Sequence, residues 1–573
     1  MIGIKIYDRF LELSPNTSIS FELNSPCYFG ADIGSIKGGF SFPFTIPLSS
    51  KNKATLYHPN RIDNQRLFIK NTYCEVWTNT SLIFSGKATI QQATRTTAKM
   101  YILINDITAL KDIMMNEASL GTATFGANQS EATAHAKDTA DNPENHNYIF
   151  FPVKNNAFTE ADDESTGKDE FINWYDTSPG SFVSDTVATA IVPFLKLDHV
   201  LSGGLSAINY TLVNNWQVDD ELKRLVLYNN RSIHNGAAWE LSTDLSNHAN
   251  PATSYGTLLK NLSRLFCLAP FEDKWNKQVE LLPLKSLIGN GVRHDWTKKA
   301  AKEYTVKELN PDLVGGFQYD DMYSKGEPTF WFESNPPTYQ LITDIDAIAD
   351  DAPSSYYYEY TTDTLYYNEL DVETTPEEGT VYSQISSKKS KLYLPYLIPE
   401  SSNDPYLSKL KTILMETSTS EFNVRWLVPE VWEEGSFIFD ANGLNLSAFK
   451  PFEDRLLFYR GMQAASPSGT YPMASNNVYD YNHNAIAGEN YSLLWNDHLD
   501  TSLFNVWWKD WIDILQMRKV VTRQLLLTSK DIIQFNFKDK VRIDNQNYLV
   551  KRLRVTLSMR GIQPTEAELV SVV

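Results

Sequence analysis

The chain of 573 residues is long enough for roughly three to five domains at ~100–200 residues each. A hydrophobic content of 42% with 13% aromatics supplies ample cores and excludes a disordered polymer. A formal net charge of −19 argues against the basic footprint of a nucleic-acid binder; simple solubility accounts for it first, and it is also compatible with a passage along which DNA slides without sticking.

The predicted elements begin with period two. Ile2, Ile4 and Ile6 alternate, as do Ile19, Phe21 and Leu23, then Phe40, Phe42, Phe44 and Ile46. Tyr73–Trp77 and Leu82–Phe84 flank Thr78–Ser81 as a hairpin, and Lys99–Ile104 adds a strand. Residues 1–115 are therefore expected to form a small antiparallel barrel or sandwich ending near Leu110. Pro43 and Pro47 lack the N–H of a central strand and mark an edge.

Residues 116–183 shift to Asn, Asp, Ser, Thr and Ala and read as a loop-rich insertion, with a strand only at Tyr148–Val153. His135 and His146 lie there without metal-ligand spacing, as solvated histidines would. Residues 184–300 are expected to be an α/β domain. Ser184 and Asp185 would cap a helix over Val187, Ile191 and Phe194, bent by Pro193 and ended by Gly203 and Gly204. A second helix after Ser254 carries Leu258, Leu259, Leu262, Leu265 and Phe266, followed by a hairpin around "EDKWNK". Residues 301–448 read as β-rich, filled by Tyr356–Tyr358, Tyr360, Tyr366 and Tyr367 and closed by strands at Leu392–Leu397 and Asn423–Val428.

Residues 449–573 form the last segment. Asp500, Thr501 and Ser502 offer caps to a helix whose Leu503, Val506, Trp507, Trp511, Ile514 and Leu515 make an apolar stripe, leaving Trp508 to look elsewhere. Val541–Ile543 and Tyr548–Val550 flank Asp544–Asn547 as a hairpin, and alternation runs on through Leu553, Val555 and Leu557.

The stretches "FKPFEDRLLFYRGMQ" (449–463), "YPMASNNVYDYNHNAIAGENYSLLWND" (471–497) and "SKDIIQFNFKDKVRIDNQNYLVKRLRVTL" (529–557), with "GGFSFPFTIPLSSKN" (38–52), resemble structural tail proteins of Bacteroidota phages and phage-like elements. The resemblance implies a tail-tip or baseplate hub of α+β, mostly β architecture, with two small antiparallel β-barrels and helix-containing insertions. It implies a homotrimer around the tail axis, in which two barrels per chain mimic a sixfold ring between the tail tube and a spike, tip or fibre complex. The segment 1–115 would then be the ring-forming, tube-like barrel, and the protein a virion component assembled in the host cytoplasm.

No residue pattern demands chemistry, so no catalytic, cofactor-binding or metal residues and no cofactor are assigned, and the chain is expected not to be an enzyme. Asp344, Asp346, Asp350 and Asp351 crowd one loop but lack the EF-hand order, which favours a solvated acidic turn. Glu430, Glu433 and Glu434 around Trp432 evoke a glycosidase pair without the separation across a cleft that one needs. His483 sits among turn-forming asparagines. "GSIKGG" (34–39) lacks the lysine and flanks of a phosphate loop. Cys27, Cys74 and Cys267 are odd in number and have no CxxC pair, as free buried thiols in a reducing compartment would be. "MIGIKIYDRFLEL" is neither signal peptide nor anchor, no apolar run of about 18 residues occurs, and stable membrane insertion is not expected. A receptor- or carbohydrate-binding surface protein is the alternative, and a tail-associated peptidoglycan hydrolase a lesser one.

Overall fold

The computed structural model describes residues 2–27, 29, 38–63, 68–104, 107–158, 170–183, 190–213, 216–233, 242–308, 339–349, 351–359, 364–377, 380–392, 408–409, 411–416, 425–437, 450–466, 468–494, 500–517 and 519–572. They are mostly β with short helices, an α+β fold. The chain forms two compact units from discontinuous stretches. Met1–Leu110, Phe266–Gly316 and Lys509–Val573 make the first; Lys111–Leu265 and Phe317–Trp508 make the second.

Besides the separate hairpin of Leu268–Asp273 and Gln278–Pro283, the first unit is built on one large sheet. From one end its strands run Arg9–Phe10, Ile2–Ile6, Thr72–Thr78, Ser81–Ala93, Thr97–Leu103, Phe40–Ser41, Ser18–Asn24, Gln546–Ser558, Thr565–Val572, Lys519–Leu525 and Ala300–Glu308. The seam lies where Ser18–Asn24 pairs antiparallel with Gln546–Ser558, from Ser18 opposite Ser558 to Asn24 opposite Arg552. Period two explains it: Ile19, Phe21, Val555 and Leu557 are fully buried on one face, each worth roughly 1.5–3 kcal/mol of burial. On the other face Glu22 meets Arg554 at 3.1 Å and Arg552 at 3.4 Å, and Arg552 meets Glu568 at 2.5 Å. N-terminal and C-terminal sub-sheets are thus fused side by side.

Local turn chemistry matches the sequence. Ile543 pairs with Gln546 across Asp544 and Asn545, whose φ values of 49° and 66° are those of a two-residue primed turn. Among the described residues the strand Phe44–Pro47 pairs only with Thr97–Leu103, so Pro47 does sit on a one-sided strand, and Pro43 stands just before it. In the C-terminal sub-sheet, Val292–Asp295 pairs with Lys540–Ile543 while Ala300–Glu308 pairs with Lys519–Leu525. One stretch of chain, turning at buried Trp296, therefore reaches both flanks of that sub-sheet. Among the described residues the sheet does not close into a barrel: Arg9–Phe10 and Ala300–Glu308 each have one partner strand.

The second unit packs several smaller sheets. Tyr148–Ile149, Phe194–Lys196, Leu225–Leu227, Arg455–Ala464 and Ser408–Lys409 form one, with Thr470–Ser475 beside Arg455–Ala464. Phe171–Ile172, Val153–Lys154, Arg425–Glu430 and Lys411–Glu416 form another. Aromatic rings fill the space between: Phe151 stacks on Phe194 at 4.4 Å, and Trp426 meets Trp174 at 5.6 Å and Tyr471 at 5.1 Å.

Four expectations change. The insertion 116–183 contains a helix, Gln129–Asp141, capped by Asn128 accepting from the Glu131 N–H at 3.0 Å. It buries only Ala132, Ala136, Thr139 and Ala140, so it shows no large apolar stripe. The helix expected from Val187 runs instead from Leu197 to Ala207, and residues 184–189 lie outside the described residues. Gly203 and Gly204 do not end it. A Cβ on Gly204 would stand 2.1 Å from the Tyr255 ring, so the glycine exists for close helix packing.

Strand Arg425–Glu430 pairs with Lys411–Glu416, so it does not close the tyrosine sheet of Tyr339–Ile342, Ser355–Glu359, Thr364–Glu377 and Thr380–Leu392. Residues 393–397 and Tyr360 lie outside the described residues. Finally Trp508 is only 1% exposed and donates Nε1–H to the Leu265 carbonyl at 3.3 Å. The reason is a π turn over Phe504–Trp508, whose larger number of residues per turn rotates successive side chains through a smaller angle, so that Trp507 and Trp508 both face inward. Ser502 supplies the predicted cap, accepting from the Asn505 N–H at 3.2 Å.

Candidate functional site

The first unit carries an exposed aromatic face at one end of its sheet. In Thr72–Thr78, Cys74 and Val76 point into the core, so Tyr73, Glu75 and Trp77 fall on the outer face. Trp77 Nε1 donates to Glu75 at 2.9 Å, and Lys5 on the next strand lies 3.5 Å from the same carboxylate. Phe10 crosses over Gly3, where a Cβ would come within 3.1 Å of the ring, and meets Trp77 edge-on at 6.2 Å. Tyr7 and Tyr57 pair at 5.5 Å. Tyr73 is 61% exposed and Tyr7, Phe10 and Tyr57 all exceed two-fifths, a density of solvent-facing rings typical of an interface.

The opposite end is the strand Ala300–Glu308, exposed at every position after Ala300. Lys302, Glu303, Lys307 and Glu308 place both signs of charge along it, which discourages indiscriminate pairing. Tyr304 and Val306 are its exposed apolar side chains, and the Arg523 guanidinium lies over the Tyr304 ring at 5.3 Å. Period two in "TYCEVWT" could have flagged the aromatic face; nothing in the sequence marks Ala300–Glu308 as terminal, because edge status depends on distant pairing.

The carboxylate and histidine clusters are each bonded to neighbouring groups. Glu433 is bound by Arg455 at 2.9 Å; burial raises its pKa while Arg455 opposes that rise. Glu434 pairs with Lys450 at 2.5 Å and Glu430 with Lys154 at 3.8 Å, so each of the three carboxylates has its own cation. Asp344 accepts from the Asp346 N–H as the cap of a short turn; Asp350 lies outside the described residues. His135 is half-buried and bonds Tyr148 Oη at 2.7 Å, and His146 meets Asp138 at 2.9 Å, with the two imidazoles 5.2 Å apart. Burial first, then His146, pushes the His135 pKa down. The two histidines are thus packed against the unit rather than simply solvated. His483 sits in a tight loop at φ 65°. Cys27, Cys74 and Cys267 are buried and free, and of "GSIKGG" only Gly38 and Gly39 are described.

The densest buried charge is one the sequence did not announce. Arg460, with a wholly buried side chain, donates to Glu221 at 2.7 Å, to Glu489 at 2.6 Å and to the Tyr491 carbonyl at 2.7 Å. Arg224 joins Glu489 at 2.8 Å, and Glu221 also accepts the N–H groups of Asn490 and Tyr491. Its donors and acceptors satisfy one another, so it latches the loop carrying "AGENY" onto the sheet. A cleft of about 160 Å³ in the first unit, beside Leu23, Gly39, Ile104, Pro270 and Phe537, holds the volume of only a few waters. Among the described residues no three His, Cys, Asp or Glu side chains converge as metal ligands, and no helix is long and apolar enough to cross a membrane.

No protein-family model matches the chain, and no curated protein matches it. Among solved structures it is similar to the 43 kDa tail protein of prophage MuSo2 from Shewanella oneidensis, at 6% identity over 100% of this chain and 97% of that one, with a TM-score of 0.33. It is similar also to the tail protein from Neisseria meningitidis MC58, at 7% identity, 99% and 95% coverage and a TM-score of 0.28. A third similarity is to prophage tail protein gp18 from Listeria monocytogenes EGD-e, at 8% identity, 99% and 94% coverage and a TM-score of 0.26.

Proposed function

We propose that this chain is a structural subunit of a phage tail, of the tail-tip or baseplate hub type, joining the tail tube to the distal tip and lining the DNA passage. The observation that carries the reading is the first unit's sheet: two sub-sheets fused side by side, ending in an aromatic face at one flank and a fully exposed strand at the other. Contact of one flank with the opposite flank of a second copy is heterologous, and such contacts close into rings when the rotation allows. Three chains, each contributing two barrel-like sub-sheets, would supply six similar elements around an axis and so present a sixfold face to a tube protein. Tip, spike or fibre proteins would take the other face. The net charge of −19 suits DNA passing without being held.

The test is sizing with light scattering and negative-stain imaging of the purified chain. A ring with an axial opening and three times the 65.2 kDa chain mass is expected. Tyr73→Arg and Tyr304→Asp, each on an exposed position, should return it to single chains without unfolding it. A monomer at all concentrations, or a ring indifferent to both substitutions, would refute the reading.

A further inference from the structure

Within the second unit, one exposed indole stands on an unusually constrained loop. Residues 431–435 connect Arg425–Glu430, whose last residue pairs with Lys154, to Ser436–Phe437, which pairs with Arg231–Ser232. The backbone is tied down on both sides of position 432. The Val431 N–H bonds the Lys154 carbonyl at 2.9 Å, and the Gly435 N–H bonds the Phe158 carbonyl at 3.0 Å. The buried Asn155 side chain both accepts from the Glu433 N–H at 3.1 Å and donates to its carbonyl at 2.8 Å. Asn230, also buried, donates to the Glu434 carbonyl at 2.8 Å. Gly435 lies so close to Phe158 that a Cβ would stand 2.5 Å from the ring. From this frame Trp432 projects at 74% exposure while Val431 before it is buried.

We infer that Trp432 is a stacking platform for a neutral saccharide. Three features favour that ligand class. A protein interface uses several apolar anchors over ~800 Å² on each side, yet among the described residues of this unit no other aromatic side chain is strongly exposed and Val218 is the one exposed large aliphatic. A single flat ring suits the C–H face of a sugar. The rim is polar and nearly balanced: Glu430, Glu433, Glu434 and Glu453 stand against Lys154, Lys450 and Arg455, each cation already paired. Such a rim offers hydrogen bonds to hydroxyls and no field for a polyanion. The loop is also held by the fold in advance, so binding pays little ordering entropy.

The test is affinity electrophoresis of the full chain in gels containing mannan, laminarin, galactomannan, xyloglucan or dextran, with polygalacturonate and heparin as acidic probes. Retardation by at least one neutral polysaccharide is expected, weakened at least about tenfold by Trp432→Ala, partly kept by Trp432→Tyr and untouched by Trp275→Ala in the first unit. Thermal melts of Trp432→Ala should match the parent. Absence of retardation in all five neutral gels, retardation by the acidic polymers alone, or binding unchanged in Trp432→Ala would overturn the proposal. So would acrylamide quenching of Trp432 that falls with protein concentration, since the ring would then be covered by a second copy. The gel outcomes do not bear on ring assembly, which is read by imaging.

Discussion

Replacing Arg460 with Met should expose how much the second unit leans on its buried latch. The guanidinium is fully enclosed and faces Glu221 and Glu489, whose side chains are 5% and 6% exposed. Glu489 keeps Arg224 at 2.8 Å in the variant, so the stranded charge is that of Glu221. Removing one partner of a buried pair costs about 3–5 kcal/mol. Because Glu221 retains two backbone N–H donors, at 2.7 and 2.9 Å, the lower end, about 3 kcal/mol, is expected. The loss should also depend on pH. Burial already raises the Glu221 pKa against the pull of Arg460, and deleting that pull raises it further. For Glu489, burial pushes up but Arg460 and Arg224 together bring it below the ordinary value. A carboxyl whose folded pKa lies above its unfolded one gains stability as pH falls, whereas a depressed one keeps its contribution only above the unfolded value. The variant's deficit should therefore be largest near pH 8 and shrink toward about pH 5. Urea midpoints followed by tryptophan fluorescence report it directly, since Trp507 stacks on Tyr491 at 5.6 Å, beside the latch. Adding Glu221→Gln to the variant should recover part of the loss. An equal deficit at both pH values, or none, would refute the reasoning.

Gly204→Ala should destabilise the second unit by about 1–3 kcal/mol through overpacking against Tyr255, seen as a lowered melting temperature, whereas Gly289→Ala, with open space around its Cβ position, should change little. Asn545→Val should cost the C-terminal hairpin about 1 kcal/mol or more because a β-branched residue resists φ 66°, while Asn545→Gly should be neutral or stabilising in the same melt. His248 is fully enclosed, and burial, then Arg231, pushes its pKa down to about 3. Its folded pKa lies below the unfolded value of about 6.5, so it contributes stability above that value which is lost progressively as pH falls toward 3; His248→Gln should flatten that acid limb of the melting curve. Trp508→Ala should cost about 3–5 kcal/mol, against less than about 0.5 kcal/mol for exposed Trp432→Ala.

What could be read from the chain alone was whatever depended on neighbours in sequence. The alternations at Ile2–Ile6, Ile19–Phe21 and Leu553–Leu557 became buried strand faces, with Leu23 half-buried at the end of its run, because period two needs no distant information. The "EDKWNK" hairpin formed where expected, with Asp273 accepting the N–H groups of Trp275 and Asn276. The misses share a cause. Gln129–Asp141 packs alanines, so it has no large apolar stripe for a helical period to reveal. Trp508 was placed wrongly because a π turn changes the phase by which a helix is read. The aromatic face was visible as rings in a strand but not as an exposed end, and Arg460, Glu221 and Glu489 are brought together from positions no spacing rule connects.

The seam between Ser18–Asn24 and Gln546–Ser558 explains why the chain interleaves its two units. Ser20 and Thr556 share a hydrogen bond at 2.9 Å across 536 positions. Closing a loop of that length costs only about 1.5 kcal/mol more than closing one of ~100 residues, because the penalty grows with the logarithm of length. Prior folding of the intervening second unit would shorten the effective loop further. Against that modest cost stand the buried Ile19, Phe21, Val555 and Leu557 and the ladder of Glu22, Arg554, Arg552 and Glu568. Without the seam, each sub-sheet would present a long, flat, apolar-backed edge, the kind most prone to indiscriminate pairing. With it, those two edges satisfy each other inside one chain, and among the described residues the path of the sheet ends at the aromatic flank and the charged strand Ala300–Glu308, with Phe44–Pro47 and Val292–Asp295 pairing on one side beside it. Among the described residues, fusing the sub-sheets within the chain thus leaves the path of the sheet ending in two unlike flanks, the arrangement that the proposed head-to-tail contact between copies would use.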